Sequence, residues 1–441
     1  MNSPLVHSAV LLIYLFLLVA GVSIALRLES VHAGKWVRTC VTAVLILLGL
    51  LVYWFSGPPQ TFYDFFVGYY PAGYAVLHHK VPAVGSLTAG FVNIPVVAYV
   101  FAPFAILDPT AAAWCFTLVG IGLVAAAWWT LGTLARADEA GRWIIALMFV
   151  GNGPLINGIK FGNITCYVLV VLVTALFCVH KGRSGVAGML FALSAVMKPP
   201  LVLFLLFFLV RRDFRGFWAF LGTCTIVAAL SILIFGGPAN IEWFNTCILQ
   251  FRHYWLVGFM VQSVPAFIFR LSAPTSVLTD WGPHLPANGQ QALANISVGF
   301  FFLLGLAALT RSEIARLSSK SEAVHTVEQQ FSLLLCLSLI ASPLSWAHYY
   351  AWLLVPAVLW VRWKSDSWVE TLVALIATAL TAPPLPWPMI SSSSTVMSIY
   401  SAFFESHVLF GGVIWFFLIC WKLIQPAAIS LSAAEKREAT I

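Results

Sequence analysis

Residues 181–212 read KGRSGVAGMLFALSAVMKPPLVLFLLFFLVRR, two apolar runs held between two basic clusters. The runs meet at Lys198-Pro199-Pro200, and prolines inside a helix remove backbone hydrogen bonds and break it. Both basic clusters favour the cytoplasmic side of a membrane. The pattern therefore predicts a helical hairpin that rises from one cluster, turns at the prolines and returns to the other. Each arm would be roughly 20 Å long, which predicts that Lys198 lies near the far surface.

The rest of the chain shares this apolar character. Of its 441 residues, 61% are hydrophobic and only 9% are charged. A soluble domain carries roughly 25% charged residues, so the composition excludes an ordinary soluble protein. Apolar runs recur along the chain, and a helix of about 20 apolar residues crosses a bilayer. We expect an all-α polytopic membrane protein with about 12–14 transmembrane helices, forming one integral-membrane domain over residues 1–441.

The charged and cysteine residues indicate what the chain does not bind. The net charge is +7, but the basic residues form short clusters beside apolar runs, as in cytoplasmic loops, so we expect no nucleic acid partner. The eight cysteines are scattered, with no Cys-x-x-Cys pair and no histidine at ligand spacing. The chain also lacks a glycine-rich phosphate loop and an Asp-x-Asp pair. We therefore expect neither a metal nor a cofactor.

The distribution of basic residues predicts which loops share a side. Two apolar runs, about 7–26 and one ending near Trp54, enclose a basic connection at residues 27–38. No basic residue precedes the first run and no Ala-x-Ala site follows it, which predicts a retained span. The positive-inside rule places the connection in the cytoplasm. A first large loop, residues 57–93, and a second, residues 236–291, are then extracytoplasmic.

One region conflicts with this arrangement. The apolar runs 94–107 and 111–134 are separated only by Asp108-Pro109-Thr110, and the loop at residues 136–142, which begins and ends with an arginine, looks cytoplasmic. Two full crossings would leave that loop outside. Either residues 94–107 do not cross, or the loop is an exception to the charge rule. Both alternatives remain open on the sequence.

Asp64 lies in YDFFVGYY, residues 63–70, just outside a predicted span and beside aromatic rings. This setting favours chemistry on a molecule held at the lipid surface, although the residue could also be a helix N-cap or a solvated loop aspartate. Ionisable groups at membrane depth are costly and usually serve a task. Further polar residues collect on the same predicted side: His78, His79, Asn152, Lys160, Asn163, Lys198, Arg252, His253, Gln262 and His348.

Three of these residues have both a functional and a structural interpretation. Lys198 could bind the phosphate of a lipid-linked substrate, or its side chain could simply reach from the turn to water. His348 stands in Trp346-Ala-His-Tyr349, where it could bind a ligand or be a structural histidine in an interfacial aromatic belt. Asn163, after Gly162, could line a site or only form a turn.

Four motifs in this order resemble the integral-membrane glycosyltransferases of the GT-C superfamily, in particular glycosyltransferase family 87. The resemblance covers about residues 60–360. Two positions depart from the family pattern: Asn163 directly follows Gly162, without the usual intervening glutamine, and Ala347 stands where an aspartate is frequent. The motifs are DFFVGYY at 64–70, Gly162-Asn163, Lys198-Pro199 with Arg211-Arg212, and SPLSWAH at 342–348, with Gln262-Ser263 between the last two.

The resemblance implies a GT-C-type bundle in the bacterial inner (plasma) membrane, with its active site on the periplasmic face. It implies a polyprenyl-phosphate sugar as donor, mannose most often, and a lipid or glycan acceptor. We expect Asp64 to be the general base of an inverting displacement, because a phosphate leaves without protonation. The expected donor phosphate-binding residues are Lys198, Arg252 and His348, and the expected sugar- or acceptor-binding residues are Tyr69, Tyr70, Asn163, Gln262, Trp346 and Tyr349.

Other functions remain possible on the sequence. A related enzyme could transfer arabinofuranose or another hexose. A non-catalytic transporter or flippase of envelope glycolipids would also need many spans, but its polar residues should occur at mid-membrane and toward both sides. A non-catalytic scaffold would consume no sugar donor.

Overall fold

The computed structural model describes residues 61–85, 90–318, 323–363, 367–383 and 395–425, with positions 40 and 44. The first two predicted spans, up to Trp54, lie outside the described residues apart from those two positions.

The described parts are built of helices, and their only β pairing consists of three isolated bridges. The helices are α1 Tyr70–Leu77, α2 Pro109–Leu134, α3 Glu139–Val150, α4 Gly153–Lys160, α5 Thr165–His180, α6 Ser184–Met197, α7 Phe204–Val210, α8 Phe214–Cys247, α9 Val264–Arg270, α10 Asn288–Ser318, α11 Ala323–Ile340, α12 Leu354–Trp363, α13 Trp368–Thr381, α14 Thr395–Glu405 and α15 His407–Ile424.

The long helices confirm an all-α polytopic membrane protein. Four described helical segments are long and apolar enough to cross a membrane: Pro109–Leu134, Phe214–Arg252, which contains α8, Asn288–Leu317 and His407–Ile424. The pair α3 and α4, bent by 59°, makes a fifth if it counts as one span. Four further apolar segments in the described residues, α5, α6, Pro199–Val210 and α13, are shorter than these. Because the first two predicted spans lie outside the described residues, the expected total of 12–14 stays a prediction.

The predicted hairpin is present as α6 and α7, joined by the 3₁₀ turn Pro199–Leu203. The two arms pack together, because the Phe191 and Phe204 rings stack with centroids 4.6 Å apart. At the open end, a Cβ atom on Gly185 would lie 3.4 Å from the Arg215 side chain. The basic clusters on either side of the hairpin are therefore neighbours, and Lys198 lies at the opposite end.

Further basic segments meet at the open end of the hairpin, which we call the basic end. Arg362 donates hydrogen bonds to the Glu328 carboxylate and, at 2.8 Å, to the Leu134 carbonyl. His180 Nε2 lies 3.4 Å from Glu328. Because Leu134 ends α2, the loop that contains residues 136–142 belongs to the same end as the basic loops.

Residues 94–107 do not cross the membrane, so the first of the two alternatives holds. They form two short 3₁₀ helices, Pro95–Val100 and Phe104–Ile106. The neighbouring Asn93 amide donates to the Met197 carbonyl at 2.7 Å, which holds this segment at the hairpin apex. We call this end of the bundle, which also contains Asp64, the site end.

The second predicted loop is partly helical. α8 continues beyond residue 236 to Cys247, with a kink at Gly236, whose φ is +80°. After it come the 3₁₀ helix Leu249–Arg252, the helix α9 and the 3₁₀ helix Thr275–Thr279. Backbone hydrogen bonds join this loop to the segment before the 3₁₀ helix Ala347–Leu353: Gln262 donates to Ser345 at 2.6 Å, and Ala347 to Met260 at 2.7 Å.

Candidate active site

Asp64 is fixed by the turn that follows α4. Its backbone N–H donates to the Phe161 carbonyl at 2.9 Å, just before the π-helix Phe65–Tyr69 begins. Gly162 makes the turn with φ +66°, and a Cβ atom there would lie 2.8 Å from the Cβ of Phe65. Only glycine combines this backbone conformation with so close an approach. The carboxylate is thus presented by a rigid junction between two distant segments.

Asn163 joins the carboxylate to a cation. Its Nδ2 donates to Asp64 Oδ2 at 2.6 Å, while its Oδ1 accepts from Lys198 Nζ at 3.3 Å and from the Thr165 N–H at 3.0 Å. The partners fix the orientation of the amide, because a carboxylate needs a donor whereas an ammonium needs an acceptor. The turn at Gly162-Asn163 is therefore also part of the candidate site.

Lys198 is buried at the hairpin apex, with 4% of its surface exposed. Its Nζ donates to Tyr349 Oη at 3.0 Å and lies 4.3 Å from the centre of that ring. No carboxylate in the described residues forms a direct ion pair with it. A lysine that only reached for water would be exposed, so the burial of Lys198 argues against that alternative.

The environment shifts the pKa values of both ionisable groups. Burial lowers the pKa of Lys198 to about 7, although the negative charge of Asp64 opposes the shift. Burial raises the pKa of Asp64 above its ordinary value, and the hydrogen bond from Asn163 and the charge of Lys198 act against that shift. Such perturbed pairs are typical of functional sites.

His348 and Tyr349 share the 3₁₀ helix that packs beside this cluster. His348 is 4% exposed, and neither of its ring nitrogens has a hydrogen-bond partner among the described residues. Burial and the charge of Lys198 lower the pKa of His348 well below its ordinary value, which favours the neutral ring. A buried polar atom without a partner costs about 1–3 kcal/mol, which is consistent with a group that awaits a ligand. The His348 and Tyr349 rings meet edge to face at 4.9 Å.

Four other residues that the sequence predicts for the site do not hydrogen-bond to Asp64, Asn163 or Lys198. Tyr69 is buried and stacks on Phe101 with centroids 4.4 Å apart, and burial together with the negative charge of nearby Asp64 raises the pKa of its hydroxyl. The Tyr70 hydroxyl donates to the Leu107 carbonyl at 3.1 Å and does not join the cluster. The remaining two are Gln262 and Arg252.

Gln262 is fully buried, and its side chain is occupied by backbone groups. Its Nε2 donates to the carbonyls of Phe259 and Glu405, and its Oε1 accepts from the Leu409 N–H. Arg252 is exposed, and none of the contacts of Asp64, Asn163 or Lys198 involves it. The structure does not bring either residue into the cluster.

Thr165 belongs to the cluster and was missed from the sequence. Its hydroxyl donates to Asn163 Oδ1 at 2.8 Å, and its carbonyl accepts from the Trp352 indole at 3.1 Å. The available signal was the spacing Asn-x-Thr, because an asparagine side chain often binds the backbone two residues on. No group of three histidine, cysteine or acidic residues that could hold a metal occurs in the described residues; the absence of a cofactor stays a prediction.

Comparison with known protein families shows that residues 91–343 match glycosyltransferase family 87. This range covers more than half of the chain and includes Asn163 and Lys198, but it begins after Asp64 and ends before His348.

The chain is also similar to two proteins named polyprenol-phosphate-mannose-dependent alpha-(1-2)-phosphatidylinositol mannoside mannosyltransferase. With that of Mycolicibacterium smegmatis it is 28% identical over 322 residues, 66% of each chain. With that of Mycobacterium tuberculosis it is 23% identical over 288 residues, 62% of each chain. The chain thus matches slightly less than two thirds of the length of either relative.

Proposed function

We propose that this chain, which belongs to glycosyltransferase family 87, transfers mannose from a polyprenyl-phosphate carrier to a lipid or glycan acceptor. The observation that carries the proposal is the Asn163 amide, which joins a carboxylate to a buried cation without a direct ion pair between them. The family and the names of the two relatives support this sugar and this carrier.

The proposed reaction is a single displacement at the anomeric carbon. The acceptor hydroxyl oxygen forms the new bond to that carbon as the bond to the carrier phosphate breaks. Asp64 takes the hydroxyl proton, and the electron pair of the broken bond leaves on the phosphate, which needs no protonation. One carboxylate therefore suffices, whereas glycoside hydrolysis normally uses two. The sugar configuration inverts.

The cationic side of the cluster serves the leaving phosphate. Lys198, with the neutral His348, would stabilise the negative charge that grows there, and stabilisation of developing charge is often the largest catalytic contribution. Arg252, exposed and outside the cluster, is proposed only as an additional phosphate contact.

The remaining residues of the proposed site act on the sugars or indirectly. Asn163 orients the acid and the cation toward each other, and Tyr69, Trp346 and Tyr349 would line the sugar site. We propose indirect roles for Tyr70 and Gln262, because their side chains bind backbone groups.

We propose that the site end faces the periplasm of a bacterial inner membrane. The basic end lies at the other end of the hairpin, and the positive-inside rule places such clusters in the cytoplasm. His79 and Arg183, both exposed, lie at opposite ends. In an active variant without native cysteines, a membrane-impermeant thiol reagent added to whole cells should label His79→Cys and not Arg183→Cys. The reverse pattern would refute the proposed sidedness.

The activity itself is tested with purified protein in lipid nanodiscs. Radiolabelled polyprenyl-phosphate-mannose and a membrane lipid and glycan extract should yield a labelled product with the wild type and not with Asp64→Asn. Donors that carry arabinofuranose or glucose serve as specificity controls. Movement of intact donor across a vesicle membrane, without its consumption, would instead support a flippase.

A further inference from the structure

A row of aromatic rings runs from the second loop to the candidate site. The Trp281 ring lies nearly parallel to that of Trp346, with centroids 6.0 Å apart and planes at 24°. The Trp346 and His348 rings are 6.2 Å apart at 9°. His348 then meets Tyr349, whose hydroxyl accepts from Lys198. The row therefore ends at the cluster that contains the proposed base.

The rings are spaced too widely for full face-to-face contact. Fully overlapping rings in contact lie roughly 3.5–4.0 Å apart, whereas these centroids are 6.0 and 6.2 Å apart. No ring of the row is therefore in full contact with the next. Trp281 and Trp346 are partly exposed, whereas His348 is buried with both nitrogens unpartnered.

The backbone beneath Trp281 is built to receive its ring. A Cβ atom on Gly258 would lie 2.7 Å from that ring, so no larger residue fits without moving it. The Gly258 carbonyl accepts a hydrogen bond from the buried Arg270 at 3.1 Å, which holds this backbone in place. Phe259 adds an edge-to-face contact with Trp281 at 5.3 Å. The position of Trp281 is thus fixed before any ligand arrives.

We infer that Trp281 and Trp346 form an acceptor subsite for a glycan of at least two sugar units, an inference that rests on the proposed function. The apolar C–H face of a pyranose packs well on an aromatic face, and the ring spacing is comparable with the length of one sugar unit. The terminal sugar would lie near Trp346, at the end of the row that is closer to the cluster containing Asp64. The preceding sugar would lie on Trp281.

Trp281→Ala provides the test, with acceptors that carry one mannose and two or more mannoses assayed in parallel. The KM for the longer acceptor should rise about tenfold, whereas the KM for the one-mannose acceptor, the KM for the donor and kcat stay as in the wild type. Trp281→Phe should retain most of the preference. Trp368→Ala, which removes a tryptophan that is 74% exposed outside the row, is the matched control and should change none of these values.

Gly258→Ala is a second variant that displaces the Trp281 ring and leaves the indole in the chain, so it should reproduce the loss. An unchanged KM for the longer acceptor in a folded Trp281→Ala protein would overturn the inference. A rise in donor KM instead would assign the row to the carrier. If the wild type consumed no donor, the proposed function would fail, and equilibrium dialysis with radiolabelled mannobiose would still test the subsite without turnover.

Discussion

Each end of the bundle contains a buried charged residue, and the two are compensated in different ways. At the basic end Glu328, with no exposed surface, directly contacts Arg362 and lies 3.4 Å from His180. At the site end Lys198 is nearly as buried, but it reaches Asp64 only through the Asn163 amide. A directly paired buried charge holds helices together, whereas a buried cation without a direct counter-ion leaves its charge available to a substrate.

The largest expected effect tests the catalytic half of this comparison. Asp64→Asn keeps the shape of the side chain and can still bind Asn163, but it cannot take a proton. The transfer rate should fall by roughly 10²–10⁴-fold, while the thermal unfolding temperature stays near that of the wild type. Single-turnover assays with radiolabelled donor measure the rate. Full activity in a folded Asp64→Asn protein would remove this residue from the mechanism.

At the basic end, we expect the opposite result: a loss of stability without a loss of the transfer rate. Arg362→Ala leaves the Glu328 carboxylate buried without its closest partner, which typically costs about 3–5 kcal/mol of stability. The unfolding temperature and the yield of folded protein should fall. The rate per folded molecule should not change, because this pair lies at the other end of the hairpin. A folded, stable variant with impaired turnover would show that the two ends are coupled.

Removal of the site-end cation should have an intermediate effect. Lys198→Ala deletes a charge that the proposed mechanism places against the leaving phosphate, and the loss of one such group typically lowers the rate by about 10²-fold. Lys198→Arg restores the charge and should recover part of the activity. Unchanged kinetics in Lys198→Ala would show that the buried cation has a structural role.

The smallest expected effect is a dependence on pH. Because burial lowers the pKa of Lys198 to about 7, the free enzyme loses this charge as the pH rises through that value. The kcat/KM for the donor should then fall by about tenfold per pH unit on the alkaline side. Bound phosphate stabilises the charged form of Lys198, so kcat should begin to fall at a higher pH than kcat/KM does. The alkaline decrease should disappear in Lys198→Arg, and its persistence there would assign it to another group.

Much of the arrangement follows from local patterns in the sequence. The prolines at 199 and 200, with a basic cluster on either side, predict the hairpin and place Lys198 at its apex. The positive-inside rule then places Asp64 at the same end. These predictions succeed because helix breaking and charge sidedness act over short stretches of chain.

Features that depend on contacts between distant segments could not be predicted from local patterns in the sequence. Residues 94–107 are as apolar as a membrane span. In the structure, however, Ala98 and Phe101 are buried inside a folded loop, which explains why this segment is apolar. The sequence predicts Gln262 as a site residue, but two of the three partners of its side chain lie more than 140 positions along the chain. The bridging amide of Asn163 likewise depends on three segments that meet only in the folded bundle.

The short arms of the hairpin have a consequence for water. α6 has 14 residues, which gives it a length of about 21 Å at 1.5 Å per residue, whereas the hydrocarbon core of a bilayer is about 30 Å thick. On the proposed orientation, the hairpin apex would therefore end short of the outer leaflet surface, and a carrier whose tail stays among the lipids would reach Lys198 from the side. In the proposed reaction, water, which competes with the acceptor as a nucleophile, would reach that depth poorly, and the donor sugar would be protected from hydrolysis until the acceptor binds.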